Sequence, residues 1–115
     1  MSVGQARLIA DNAVAVPEYA VFITPSHLFI RLPFGGGSAT SNLCTANVTG
    51  GTGPFTYLWT LQSGVSLTIT HPTSAITAFS YSGDSDQQST YKCTVTDSLS
   101  AETFNFVNLT IVSLQ

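Results

Sequence analysis

The stretch from Cys44 to Cys93, with Trp59 between them, constrains this chain more than any other. It reads SNLCTANVTGG, then GPFTYLWT, then STYKCTVTDS. In each piece apolar and polar residues alternate, and a period of two belongs to a half-buried strand. The inward sets are predicted to be Cys44/Ala46/Val48, Phe55/Tyr57/Trp59 and Tyr91/Cys93/Val95. An indole held between two strands with inward cysteines, and a tyrosine two residues before the second cysteine, is the core pattern of a two-layer β-sandwich. Cys44, Trp59, Tyr91 and Cys93 are therefore the expected structural core. The chain has 115 residues, enough for one domain with a real two-sheet core.

The remaining chain supports an all-β reading. Residues 1–18 form a distinct opening segment, apolar without a clean period and closed by Pro17. A short helix, a loose tail and an arm lying on a neighbouring molecule are all compatible with it. Domain organisation is thus an arm over 1–18 and a sandwich over 19–115. YAVFIT (19–24) and HLFIRLPF (27–34) read as one edge strand split at Pro25-Ser26. In the second half apolar residues fall on both parities, Leu28, Ile30, Leu32 and Phe34 against Phe29. A strand with one wet face does not look like that, so it is either buried twice or faces a partner. Further strands are expected near 40–49, 55–61, 65–70, 75–81, 89–96 and 102–113, separated by Gly, Pro, Ser and Asp clusters. In the last of them Phe104 and Phe106 share one parity while Val107, Leu109 and Ile111 share the other. A β-bulge near 106–107 would reconcile them.

Composition narrows the function classes. Only 8% of residues are charged, about a third of the usual globular share, so Ser, Thr, Asn and Gln must supply the polar surface. Such a surface carries little self-repulsion and suits a protein that sits in an assembly. Net charge is −3, and the cations Arg7, Arg31 and Lys92 are scattered. No basic stripe exists to neutralise phosphates, which argues against nucleic acid as a partner. No stretch approaches ~18 uninterrupted apolar residues, and the N-terminus lacks the pattern of a secretory leader. Synthesis in a cytoplasm, with no membrane partner, is the expectation.

At VTGGTGPFTYLWT and YKCTVTDS the chain resembles the Ig-like and PKD-type domains of phage virion proteins and bacterial surface proteins. Gly50-Gly51, Phe55-Thr56-Tyr57-Leu58-Trp59 and Tyr91 through Val95-Thr96-Asp97 carry the likeness, which covers about residues 38–113. SLTITHPTSAITAFS adds to it. The sequence departs at Leu61-Gln62-Ser63-Gly64, where PKD domains usually carry Gly-Asp. The resemblance implies an immunoglobulin-like sandwich of two antiparallel sheets with an N-terminal extension. It also implies a non-enzymatic virion structural protein, a capsid decoration protein docking through its N-terminal region. The major capsid protein or another virion protein would be its partner and the virion its location. A tail-associated Ig-like module and a weak module binding host-surface glycans are the alternatives. In such domains a bridge joins the positions held here by Cys44 and Cys93, and could contribute ~3–4 kcal/mol. Two buried thiols behaving as small apolar residues are the alternative, favoured by a reducing cytoplasm.

Nothing in the sequence assembles a reactive centre. His27 and His71 flank turn residues, without the three or four converging ligands zinc requires. Asp84-x-Asp86 in a Gly-Ser loop could offer oxygens to Ca²⁺, but a short acidic pair in a polar loop reads first as a solvated turn. Asn47-Val48-Thr49 and Asn108-Leu109-Thr110 match the glycosylation pattern, both within strands. No nucleophile elbow or paired catalytic carboxylates occur, so no catalytic residue, cofactor or metal ligand is assigned and the chain is read as a non-enzyme. What remains is surface. Leu28, Phe29, Ile30, Leu32, Phe34 and Leu58 are the expected docking residues, an apolar side suited to adhesion.

Overall fold

The computed structural model describes residues 18–114. The expected arm, apart from Glu18, lies outside the described residues. Ten strands follow in order: β1 (Ala20–Thr24), β2 (His27–Arg31), β3 (Gly37–Thr40), β4 (Cys44–Thr49), β5 (Thr56–Gly64), β6 (Thr68–Ile69), β7 (Ile76–Thr77), β8 (Phe79–Gly83), β9 (Gln87–Thr96) and β10 (Glu102–Val112). One layer is the four-stranded sheet β2-β10-β9-β5. The other consists of two three-stranded pieces, β1-β4-β7 and β3-β8-β6. The segment 76–83 links those pieces, because β7 pairs with β4 while β8 pairs with β3 and β6.

The split first strand is where the sequence put it. Val21 and Ile23 point inward from β1, which runs antiparallel to β4. After Pro25-Ser26 the chain changes layer, and β2 runs parallel to β10 with Leu28 opposite Leu109 and Ile30 opposite Ile111. Proline lacks a ladder donor, so Pro25 is a natural place for the chain to leave one sheet and join the other. The expected strand over 40–49 is instead two strands, β3 and β4, with Ser41–Leu43 between them; each joins a different piece of the second layer.

The core is centred on Trp59, which is 2% exposed. Its ring meets Phe79 edge-on at 5.9 Å, and Phe79 lies 4.8 Å from Tyr91. Offset and edge-on aromatic pairs of this kind are favoured beyond the area they bury. Each polar atom in the cluster is satisfied, as burial demands. The Trp59 Nε1–H donates to the Ser74 carbonyl at 2.7 Å. The Leu67 N–H donates to the Tyr91 hydroxyl at 2.6 Å, and that hydroxyl donates to the Leu67 carbonyl at 3.2 Å. Tyr91 thereby ties β9 to the chain entering β6. Cys44 and Cys93 are both fully buried and both free thiols.

Strand β10 contains no bulge. Its register with β9 runs without interruption from Glu102–Thr96 to Ile111–Gln87. Phe104 and Phe106 share a parity because both point outward, while Val107, Leu109 and Ile111 fill the core. The irregularity lies in β5, where pairing with β9 shifts between Leu61 and Ser63. Gly64 follows at φ +89, where a Cβ would collide with the Gln88 carbonyl. Only glycine reconciles that approach with a positive φ.

Candidate functional site

Strand alternation builds the most distinctive surface of the molecule on the outer face of the four-stranded sheet. Phe104 lies opposite Thr94, which lies opposite Leu58; one step along, Phe106 lies opposite Lys92, which lies opposite Thr60. Phe104 is 52%, Leu58 49% and Phe106 38% exposed. The two phenyl rings pack edge-on at 5.6 Å, and the Lys92 ammonium sits 4.2 Å from the Phe104 ring centroid. A cation over a ring face is held by the ring quadrupole, so Lys92 is fixed across the patch. Threonines at 56, 60, 90, 94 and 96 surround these residues along β5 and β9. Large apolar residues grouped on one sheet face mark a contact surface more often than scattered ones do.

The expected docking residues divide. Phe29, Phe34 and Leu58 present exposed side chains, but Leu28, Ile30 and Leu32 are 3%, 0% and 0% exposed and belong to the core. They read as surplus apolar residues because β2 packs its inner face on the sandwich, while on its outer face Phe29 is the one apolar side chain, between His27 and Arg31. Phe104 and Phe106 were hidden from the sequence by the supposed bulge; their shared parity with the polar residues Glu102 and Asn108 was the available signal. Tyr57 is half-buried and packs against the core, as expected from its parity.

The four expected core residues converge. Trp59 is registered opposite Cys93, and Tyr91 stands one inward position away on the same strand. Burial pushes the Cys44 thiol up to about 11. Cys93 is pushed up to about 12, chiefly by burial and further by the neighbouring Cys44. Thiols so shielded are poor nucleophiles, because the thiolate is the reactive form.

Other singled-out residues have structural partners. His27 stacks on Phe29 at 4.9 Å, and its Nε2 is 2.8 Å from the Thr110 Oγ1. His71 lies exposed in a turn whose backbone N–H donates to the Thr77 Oγ1. Asp86 accepts the Ser113 N–H at 2.7 Å, fastening the 84–86 loop to the end of β10. The Asn47 amide donates to Phe22 and Thr45 carbonyls and to Thr24, while the Asn108 side chain accepts from Thr90. Among the described residues no three His, Cys, Asp or Glu side chains gather as a metal site, and no helix is long and apolar enough to cross a membrane. Asp97, just past the end of β9, organises one end of the sandwich. Its carboxylate accepts the Leu99, Ala101 and Thr52 N–H groups.

No protein-family model and no curated protein matches the chain. Three chains of known structure do. One is a nucleoside hydrolase-related hypothetical protein from Saccharophagus degradans that is associated with carbohydrate metabolism. It is 15% identical with a TM-score of 0.55 over 86% of this chain. This chain spans 26% of that protein's length. At such identity the likeness is one of fold.

Proposed function

We propose that the chain is a non-enzymatic structural protein of a virion, a capsid decoration protein that adheres through the outer face of its four-stranded sheet. The observation that carries the adhesive part is the exposed cluster of Leu58, Phe104 and Phe106, clamped by Lys92. The virion assignment rests on the resemblance to phage Ig-like domains, and the partner it names is the major capsid protein. A surface of phenyl, isobutyl and threonine side chains gains from area removed from water, at roughly 25 cal/mol per Å². Little charge is involved, so binding of this kind changes little with salt. The raised thiol pKa values and the engagement of the His27 ring with Phe29 and Thr110 support the non-enzymatic reading.

Imaging of the virion that carries this protein tests the proposal. Density for the sandwich at regular capsid sites, with the β5-β9-β10 face turned to the shell, is the expected result. Density confined to the tail would replace the capsid by the tail as the docking partner. Particles without the protein would overturn the reading.

A further inference from the structure

We propose that the outer face of the four-stranded sheet also binds itself, so that two copies of the chain close face to face as a two-fold dimer. The inference goes beyond docking on a capsid and stands on the pattern of charge across that face.

Three rows of outward residues cross β10, β9 and β5. The first is Glu102, Thr96 and Thr56, the second Phe104, Thr94 and Leu58, the third Phe106, Lys92 and Thr60. Glu102 is exposed. These positions hold one acid and one base, in the outer rows, and the two most exposed apolar side chains lie in the row between. Neither charge meets an opposite one among the described residues; Lys92 lies over the Phe104 ring instead. Within one copy the two charges are separated by two rows, roughly 14 Å, so a second molecule has to supply the partner of each.

Two identical faces can meet about an axis lying between them in either of two directions. An axis along the strands returns every row to its own level, which sets the two lysines at one level and the two glutamates at another. An axis across the strands, through the middle row, exchanges the first row with the third. Lys92 of each copy then faces Glu102 of the other, one strand over, and the pair occurs twice. Stacked sheets lie ~10 Å apart and neighbouring strands ~4.8 Å apart, a span that a lysine and a glutamate bridge together. The middle row packs on itself and removes Phe104 and Leu58 of both copies from water. The face is thus complementary to itself in one arrangement and not in the other.

The three rows cover roughly 300 Å² of sheet per copy, well short of the ~1,200 Å² total at which stable interfaces begin. The dimer is therefore weak and reversible, and a larger surface displaces it. If the capsid reading holds, on which this last step rests, the second copy shields the rings in the free protein and gives way to the shell.

The experiment is sedimentation equilibrium of the full-length protein. A monomer–dimer equilibrium with Kd of ~0.1–1 mM is expected, which leaves protein at ~10 µM monomeric. Lys92→Glu and Glu102→Lys, both on the outer face, each turn two attractions into two repulsions and should weaken association about tenfold. The double variant Lys92→Glu/Glu102→Lys exchanges the signs and should regain most of that loss. Carbodiimide, which condenses an amine with a carboxylate, should join Lys92 of one copy to Glu102 of another in a mixture of light and isotope-labelled protein. A monomer at every concentration overturns the proposal. So does a dimer indifferent to either reversal, or one that the double variant fails to restore. Retention on purified capsids is read separately. A dimer that capsids do not retain keeps this inference and removes the capsid reading, and retention of a strict monomer does the reverse.

Discussion

Along β9 and β10 the inward side chains Tyr91, Cys93, Val95, Val107, Leu109 and Ile111 are at most 1% exposed, while on the same β10 Phe104 is 52% and Phe106 38% exposed. The two faces are equally hydrophobic in places and entirely different in consequence. Inside, apolar atoms meet apolar atoms, and every polar group among them has a partner. Outside, phenyl rings lie beside threonines and under a lysine, contributing little to folding because water still reaches them. Sidedness therefore separates what holds the sandwich together from what is available to another molecule. Substitutions on the two faces should accordingly part stability from adhesion.

The largest effect is expected on the inner face. Trp59→Ala removes the ring against which Phe79 packs and leaves the Ser74 carbonyl without its indole donor. Losses of about 3–5 kcal/mol are typical for such truncations, a large share of a total of about 5–15. Denaturant unfolding should show a much lower midpoint or no folded baseline. A near-native midpoint would break the claim that this ring is the centre of the fold. Tyr91→Phe keeps the ring and removes only the hydroxyl, so Leu67 N–H and carbonyl are stranded in the core. Unsatisfied buried groups cost ~1–3 kcal/mol, and the same measurement should register that smaller loss with an unchanged m-value.

How much of this was legible in the sequence depended on which physical rule decided each element. The Cys44–Trp59–Cys93 frame was readable because alternation and burial agree there. The split at Pro25-Ser26 was readable because proline withholds a ladder donor; that the two halves join different sheets was not, since it depends on which strands they meet. Phe79, at the centre of the aromatic cluster, was not, since its short strands β7 and β8 switch partners around Ala78 and scramble the period. The bulge was expected in β10 and found in β5, because parity alone does not distinguish a register slip from an apolar residue that points outward. The same ambiguity placed Leu28, Ile30 and Leu32 on the docking surface and omitted Phe104 and Phe106.

The buried thiols give a pH-dependent view of the inner face. In the unfolded chain they ionise near 9.0, whereas in the folded protein they keep their protons to about 11 and about 12. Folding therefore disfavours the thiolate. The stability tied to these groups is complete below pH 9.0 and is lost as pH rises from there toward the folded values. A Cys44→Ala/Cys93→Ala variant should lose less stability than the native chain over that alkaline interval. Equal slopes for the two proteins would show that the thiols are more open to water than their burial implies. Alkylation at neutral pH should likewise be slow until denaturant is added.

The smallest expected change in stability belongs to the outer face, and there the contrast is sharpest. Phe104→Thr and Phe106→Thr keep strand-favouring side chains and extend the threonine rows already present on β5 and β9. Both rings are substantially exposed, and surface substitutions of this kind usually stay within about 0.5 kcal/mol. Unfolding midpoints should barely move. Retention on purified capsids should nevertheless collapse in the double variant, because the rings supply most of the apolar area that docking would bury. A large loss of stability would mean the rings support the sheet rather than a partner. Unchanged stability with unchanged retention would move the docking surface elsewhere, to Phe34 or to the residues before Glu18.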